Sequence, residues 1–157
     1  MADEIHMLRS VTSSKTKSGK NPVAGGRSLG LTAAGTEQII RQVQRGFPYI
    51  AIIRLHHVSG LPISSIADLL QIPQRTLMRR KAEGRLTSEE SERLLRVSGI
   101  FEKAASLFEG DAHAARHWLT TPSRELAGQS PLEFARTEIG SRDVEDLIGR
   151  LEYGVFA

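Results

Sequence analysis

A cluster of basic residues in the middle of the chain could bind a polyanion. Within eleven residues the sequence places Arg75, Arg79, Arg80, Lys81 and Arg85. An arginine side chain can donate two parallel hydrogen bonds to O6 and N7 of guanine, and both arginine and lysine bind phosphate. These residue types indicate nucleic-acid binding, with an ordinary solvated helix face as the alternative.

The spacing of the cluster predicts how a helix would present it. At 100° per residue, Leu77 and Met78 fall on one side of the helix, where we expect them to face a core. Thr76, Arg79 and Arg80 fall on the opposite side, which would enter the major groove. The predicted DNA contacts are Gln74, Arg75, Thr76, Arg79, Arg80 and Arg85.

The residues upstream of this helix have the pattern of a helix-turn-helix motif. A small residue, Ala67, stands where the two helices must approach closely. The apolar positions that would lock the helices together are Ile66, Leu70, Ile72 and Leu77. Gln71 occupies the turn position that glycine often holds. Because a left-handed conformation costs a non-glycine residue about 1–2 kcal/mol, we expect this turn to differ in detail.

Composition and charge limit the class of protein. With 39% apolar and only 5% aromatic residues, the 157-residue chain is suited to a helical core, and the absence of cysteine excludes disulfides and Cys-based zinc sites. We find neither an apolar run long enough to span a membrane nor a signal-peptide core, so we expect a cytoplasmic protein. Residues 1–30 and 31–110 each carry a net charge of +3, whereas residues 111–157 carry −3. This asymmetry suggests a polyanionic partner for the front of the chain and a different partner for its back.

Helix start and stop signals predict an all-α fold in three parts. Capping boxes at Thr87 to Glu90 and Ser130 to Glu133 mark two helix starts, and Gly140 with Ser141 is predicted to separate the last two helices. Residues 1–30 are expected to form a flexible basic tail. Residues 31–109 are expected to be the DNA-binding and dimerisation region, with isoleucine-rich helices over 36–58 as the dimer surface. Residues 110–157 are expected to form a small C-terminal domain that binds a partner.

The end of the chain is unusually apolar. A predicted helix with Val144, Leu147, Ile148 and Leu151 on one stripe ends at Gly154, and an apolar tail follows it. Chain ends are usually polar and frayed. The tail therefore either folds back onto its own domain, for example against Trp118, or serves another protein.

The C-terminal sequence closely resembles the toxin-binding domain of the Xre/MbcA/ParS-type antitoxins. The matching residues are Trp118, Leu119, Pro122, Leu126, Gly128, Pro131, Leu132, Thr137, Glu138, Gly140 and the ending from Gly149 to Ala157, and in the central region they are Arg75, Thr76, Leu77, Arg79, Arg80, Gly84, Arg85, Leu86, Thr87, Glu90, Ser91 and Arg93. The ending is the most specific part of this resemblance. Ala127 precedes a single glycine where the family commonly has a pair.

The resemblance implies a function. Such antitoxins pair with a RES-domain toxin, an NAD-consuming enzyme, and cover the entrance to its active site; the complex represses its own promoter. It implies toxin contacts at Arg150, Tyr153, Gly154, Val155, Phe156, Ala157, Trp118 and Leu132. The expected assembly is a homodimer that binds operator DNA and forms a higher-order complex with toxin. The alternative is a stand-alone helix-turn-helix regulator whose C-terminal module dimerises or binds a ligand.

No catalytic or metal site is predicted. His113 and His117 have a spacing that can hold zinc, but the sequence offers no third ligand, and we interpret them as surface residues beside Trp118. The serines have no convincing His and Asp partners for nucleophilic catalysis. We therefore expect a protein that is not an enzyme and that needs no cofactor.

Overall fold

The computed structural model describes residues 25–31 and 35–154. Over these two ranges the chain is all-helical, as predicted, and contains no β-strand. The helices are α1 (Thr36–Arg45), α2 (Ile50–Ser59), α3 (Ile63–Leu69), α4 (Gln74–Glu83), α5 (Ser88–Leu107), α6 (Ala112–Thr120), α7 (Pro131–Phe134) and α8 (Glu138–Glu152), with a 3₁₀ turn at Arg124–Leu126.

The longest helix, α5, forms the centre of the core. It packs against α1 and α2 from the front of the chain and against α6 and α8 from its back. Its apolar side chains Leu94, Ile100 and Ala104 are fully buried. The buried faces of both halves of the protein therefore meet on one continuous helix.

The predicted flexible tail is wrong for residues 25–30, which fold against the core. Leu29 is fully buried, and the Ser28 hydroxyl donates a hydrogen bond of 2.9 Å to Glu102 on α5. The backbone amide of Gly26 donates a hydrogen bond of 3.3 Å to the hydroxyl of Ser98. One buried leucine and two contacts to α5 hold this segment in place; residues 1–24 lie outside the described ranges.

Both predicted capping boxes are confirmed, but the predicted break at Gly140 and Ser141 is wrong. Thr137 is the N-cap of α8, and its side chain accepts a hydrogen bond of 3.0 Å from the amide of Gly140, inside the first turn. A Cβ at Gly140 would clash with the carbonyl oxygen of Phe134. Glycine is present there because α7 and α8 approach closely, and not because the chain turns.

Within residues 25–31 and 35–154, no single helix is long and apolar enough to cross a membrane. Helices α2 and α3 together have the length and apolar composition of a membrane span, but the chain bends by 113° between them.

Candidate DNA-binding and partner-binding helices

Helices α3 and α4 form the predicted helix-turn-helix motif. Leu77 of α4 is 6% exposed and packs with Ile66 and Ala67 of α3 in the core. Gln71 takes up the left-handed conformation itself, with φ of 57°, and Ile72 N donates to Ala67 O at 2.9 Å. The expectation that the turn differs in detail is wrong, because glutamine adopts the conformation that glycine would supply.

The outer face of α4 presents Gln74, Arg75 and Arg79 to solvent, with Thr76 half-buried at its edge. No hydrogen bond or ion pair joins the side chains of Arg75 and Arg79 to another residue of the described ranges. Met78 is 58% exposed, so the prediction that it faces the core is wrong. Its position is rotated by about 100° from that of Leu77, which moves it out of the buried stripe.

Arg80 does not belong to this free face, and its prediction as a DNA contact needs correction. Its Nε donates a hydrogen bond of 2.7 Å to Glu90 on α5, and its Nη1 lies 3.4 Å from Glu83. The Arg80 side chain is only 14% exposed. At 100° per residue Arg80 is about 60° from the buried Leu77, close enough to be drawn against α5. The hydrogen bond to Glu90 raises the pKa of Arg80 against the opposing effect of its own burial.

Glu90 holds the start of α5 and the end of α4 together. The carboxylate oxygen that accepts from Arg80 also accepts from the backbone amide of Thr87 at 2.9 Å, which completes the capping box of α5. Burial by itself would raise the pKa of Glu90. The hydrogen bonds from Arg80 and Thr87 and the charge of Arg80 outweigh burial, so its pKa lies below the ordinary value. Glu90 is therefore a buried, charged tether for the recognition helix.

Arg85 follows α4 and is tied to the loop before α2. Its Nη1 donates to the carbonyl oxygen of Gly46. The backbone beside it pairs with the same loop, since Leu86 N donates to Phe47 O and Tyr49 N donates to Gly84 O, both at 2.9 Å. Arg85 is nevertheless exposed to solvent, and its contact with DNA stays a prediction.

Arginines that the sequence did not single out join the C-terminal part to the helix-turn-helix region. Arg116 donates to the carbonyl of Ser59 at the end of α2, at 3.1 Å. Arg136 donates to the carbonyl of Asp68 near the end of α3, at 2.9 Å. Cations at the C-terminal ends of helices satisfy free carbonyls and suit the helix dipole. Only the tertiary structure reveals these contacts, because the partners are distant in sequence.

The predicted partner-binding residues divide into exposed and buried ones. Tyr153 is 81% exposed, Arg150 is exposed, and Gly154 has the predicted positive φ, of 67°. Leu132 is 5% exposed and lies in the core, so its side chain is removed from the predicted contact surface. Trp118 is half-buried against Phe108, with ring centroids 6.5 Å apart.

The exposure of Tyr153 also bears on the two alternatives for the end of the chain. A tyrosine that packed on Trp118 within the same domain would be buried, and Tyr153 is not. Val155, Phe156 and Ala157 lie outside the described ranges. His113 and His117 are exposed, and the described residues contain no group of three or more side chains that could hold a metal ion.

Comparison with known proteins matches both halves of the chain. Residues 38–99 match the antitoxin Xre-like helix-turn-helix domain, and residues 103–154 match the antitoxin Xre/MbcA/ParS C-terminal toxin-binding domain. A protein named antitoxin Xre from Yersinia enterocolitica is 39% identical over 132 residues, which are 83% of this chain and 89% of that protein. A second antitoxin Xre, from Photorhabdus laumondii, is 29% identical over 130 residues, 82% of this chain and 88% of that protein. A third, from Pseudomonas putida, is 34% identical over 84 residues, about half of each chain (53% and 52%).

A helix-turn-helix with an exposed basic recognition face, joined to a toxin-binding domain, defines a DNA-binding antitoxin. The chain belongs to the Xre antitoxin family. Its partners are a toxin and DNA.

Proposed function

We propose that this antitoxin neutralises a RES-domain, NAD-consuming toxin by covering its active site with the C-terminal tail. The observation that carries the proposal is the exposure of Tyr153, which is 81% exposed at the end of α8. Arg150 is exposed one turn earlier, where a guanidinium could occupy a pocket shaped for an anionic dinucleotide. The apolar residues Val155 and Phe156 follow directly in the sequence. The protein acts by binding, in the cytoplasm, and not by catalysis.

Truncation tests the proposal that the C-terminal tail plugs the toxin's active site, which we call the plug. An aromatic anchor inserted into a partner's pocket contributes about 2 kcal/mol or more, which is about 30-fold in affinity. We expect a chain that ends at Tyr153 to lose neutralisation when it is co-expressed with the toxin gene beside its own, while its thermal unfolding temperature stays unchanged. Met78→Ala, at an exposed apolar residue of α4, serves as the control and should neutralise like the natural chain. Full protection by the truncated chain would refute the plug.

We propose further that the antitoxin represses its own operon through α4. The guanidinium groups of Arg75 and Arg79 are exposed and pair with no residue of the described ranges, which supports this proposal. A single motif reads only a half-site, so we infer a homodimer on two half-sites. Three half-exposed apolar residues of α1 and α2, Ile40, Ile50 and Val58, offer a surface for it, which sedimentation velocity of the free chain would check.

Arg79→Ala is expected to weaken binding to DNA from upstream of the antitoxin's own gene by about 1–3 kcal/mol if Arg79 contacts a base. If it contacts a phosphate instead, the salt dependence of binding should become shallower by about one counterion. Fluorescence anisotropy at two salt concentrations measures both quantities. Arg142→Ala on α8 removes the same charge far along the chain and should change neither. Unchanged affinity and salt dependence in Arg79→Ala would argue against α4 as the DNA-binding helix.

A further inference from the structure

Helix α8 carries the two most exposed large apolar side chains of the described residues. Ile139 is 77% exposed at its start, and Tyr153 is 81% exposed at its end. The two positions are about 21 Å apart along the helix and about 40° apart around it, so they share one face. The opposite face holds the buried Val144 and Ile148.

Charged residues occupy the same outer face between these two ends. Asp143, Asp146 and Arg150 are exposed and lie within about 60° of each other around the helix. No hydrogen bond or ion pair joins their side chains to another residue in the described part of the chain. Arg142 at the margin is the exception, since it pairs with Glu138 at 2.7 Å. The face is therefore exposed in the described structure, with apolar ends and, between them, two carboxylates and one guanidinium group.

Gly149 lies on the edge of this face, and no contact within the described structure requires a glycine at this position. A glycine in the interior of a helix destabilises it relative to alanine. A Cβ at Gly149 would meet no atom of the described residues within 4 Å, apart from its own helical surroundings. Gly140 at the other end of the same helix is the contrast, because a Cβ there would clash with the backbone of Phe134. A surface that approaches α8 closely from outside accounts for Gly149.

We infer that the outer face of α8 is a docking surface for the toxin, continuous with the tail. We define this face by Ile139, Asp143, Asp146, Gly149, Arg150 and Tyr153. Two observations select the toxin as the occupant. The whole of α8 lies within the match to the toxin-binding domain, and the face includes Arg150 and Tyr153, the exposed residues that carry the proposed contact with the toxin. The inference rests on the proposed function.

The test compares single variants of the full-length antitoxin for binding to the catalytically inactivated toxin. Gly149→Ala should weaken binding by about tenfold or more while the unfolding temperature stays equal or rises, because alanine favours the helix. Ile139→Asp should weaken binding by a similar factor although it is about 21 Å from the tail. Met78→Asp on α4 makes a matching change at another exposed apolar residue, which is 58% exposed and lies outside the proposed dimer surface, and should bind like the natural chain.

The outcomes separate this inference from the proposed plug. If the natural chain does not bind the toxin, both fail. If the natural chain binds and truncation after Tyr153 weakens binding, but Ile139→Asp and Gly149→Ala bind normally, the plug stands and the α8 surface is refuted. Weakening by Gly149→Ala alone also refutes the surface, since the tail could then be packing there by itself. Weakening by both variants, each with an unchanged or higher unfolding temperature, supports it.

Discussion

The recognition helix α4 and the C-terminal helix α8 are both amphipathic, but the protein holds them differently. Helix α4 is held on its inner side by Leu77 and at its flank by the ion pair between Arg80 and Glu90. Helix α8 is held by its inner stripe and by a more exposed ion pair of 3.0 Å between Glu145 and Lys103 of α5, while its outer face, with Asp146 and Tyr153, is exposed. A helix that enters the major groove must keep a fixed angle to reach base edges, and an ion pair at its flank serves that need. A helix that binds another protein needs a free face.

The helix-turn-helix region and the toxin-binding region nevertheless share one helix, α5. The match to the helix-turn-helix domain ends at residue 99 and that to the toxin-binding domain begins at residue 103, and both positions lie inside α5 (Ser88–Leu107). The chain therefore has no flexible linker at this point. We therefore expect α4 and α8 to have different functions but to unfold in a common transition.

The largest effect is expected from removing the buried anchors of the two helices. Leu77 is 6% exposed and Ile148 is 2% exposed. Replacing either by alanine should cost about 2–5 kcal/mol, because it removes buried apolar atoms and leaves a cavity. Since α5 is shared, each variant should lower the midpoint of one single transition in thermal denaturation followed by circular dichroism. Two separate transitions in either variant would contradict the common unfolding transition and indicate independent domains.

A smaller effect is expected at the ion pair between Arg80 and Glu90, which is more deeply buried than the pair of Lys103 and Glu145 that joins α8 to α5. Glu90→Gln keeps the size of the side chain but removes its charge, and should cost about 2 kcal/mol at pH 7. The pKa of Glu90 is lowered in the folded protein, so its contribution is complete above the unfolded pKa of about 4.3 and is lost as the pH falls through the lower folded value. The difference in unfolding free energy between the natural chain and Glu90→Gln should therefore shrink in strong acid.

Urea denaturation at pH 7 and at pH 3 measures this difference. We also expect Glu90→Gln to weaken DNA binding and to leave toxin binding unchanged, because the pair holds α4 through Arg80. A stability difference that is the same at both pH values would mean that it does not come from the charge of Glu90.

The smallest effect is expected at the turn before α4. Gln71 has a φ of 57°, a conformation that glycine adopts without the steric cost of a side chain. Gln71→Gly should raise the unfolding free energy by about 1 kcal/mol, somewhat reduced by the greater freedom of glycine in the unfolded chain. Chemical denaturation checks this value. DNA affinity should stay the same, and a loss of stability would show that the Gln71 side chain contributes an interaction that outweighs its strain.

Local signals predicted much of the fold. The capping boxes at Thr87 and Ser130 depend on residues three positions apart, so they can be recognised without any tertiary information. The helix-turn-helix pattern and the stop at Gly154 are local in the same way. The predictions failed where a distant contact decided the outcome. Gly140 marks a close approach to Phe134, and Leu29 is buried although its neighbours resemble a solvated tail.

By itself, the sequence determined the helix types, their starts, the basic face of α4 and the apolar end of the chain, because periodicity and capping act within a few residues. Only the tertiary structure decided which residues of those patterns are exposed and available to bind a partner. It turned Arg80 away from the predicted DNA-binding face by pairing it with Glu90, and it buried Leu132 in the core. It left the outer face of α8 uncovered from Ile139 to Tyr153. The physical reason is that exposure and ion pairing depend on what packs opposite a residue, and that neighbour is often far away in the chain.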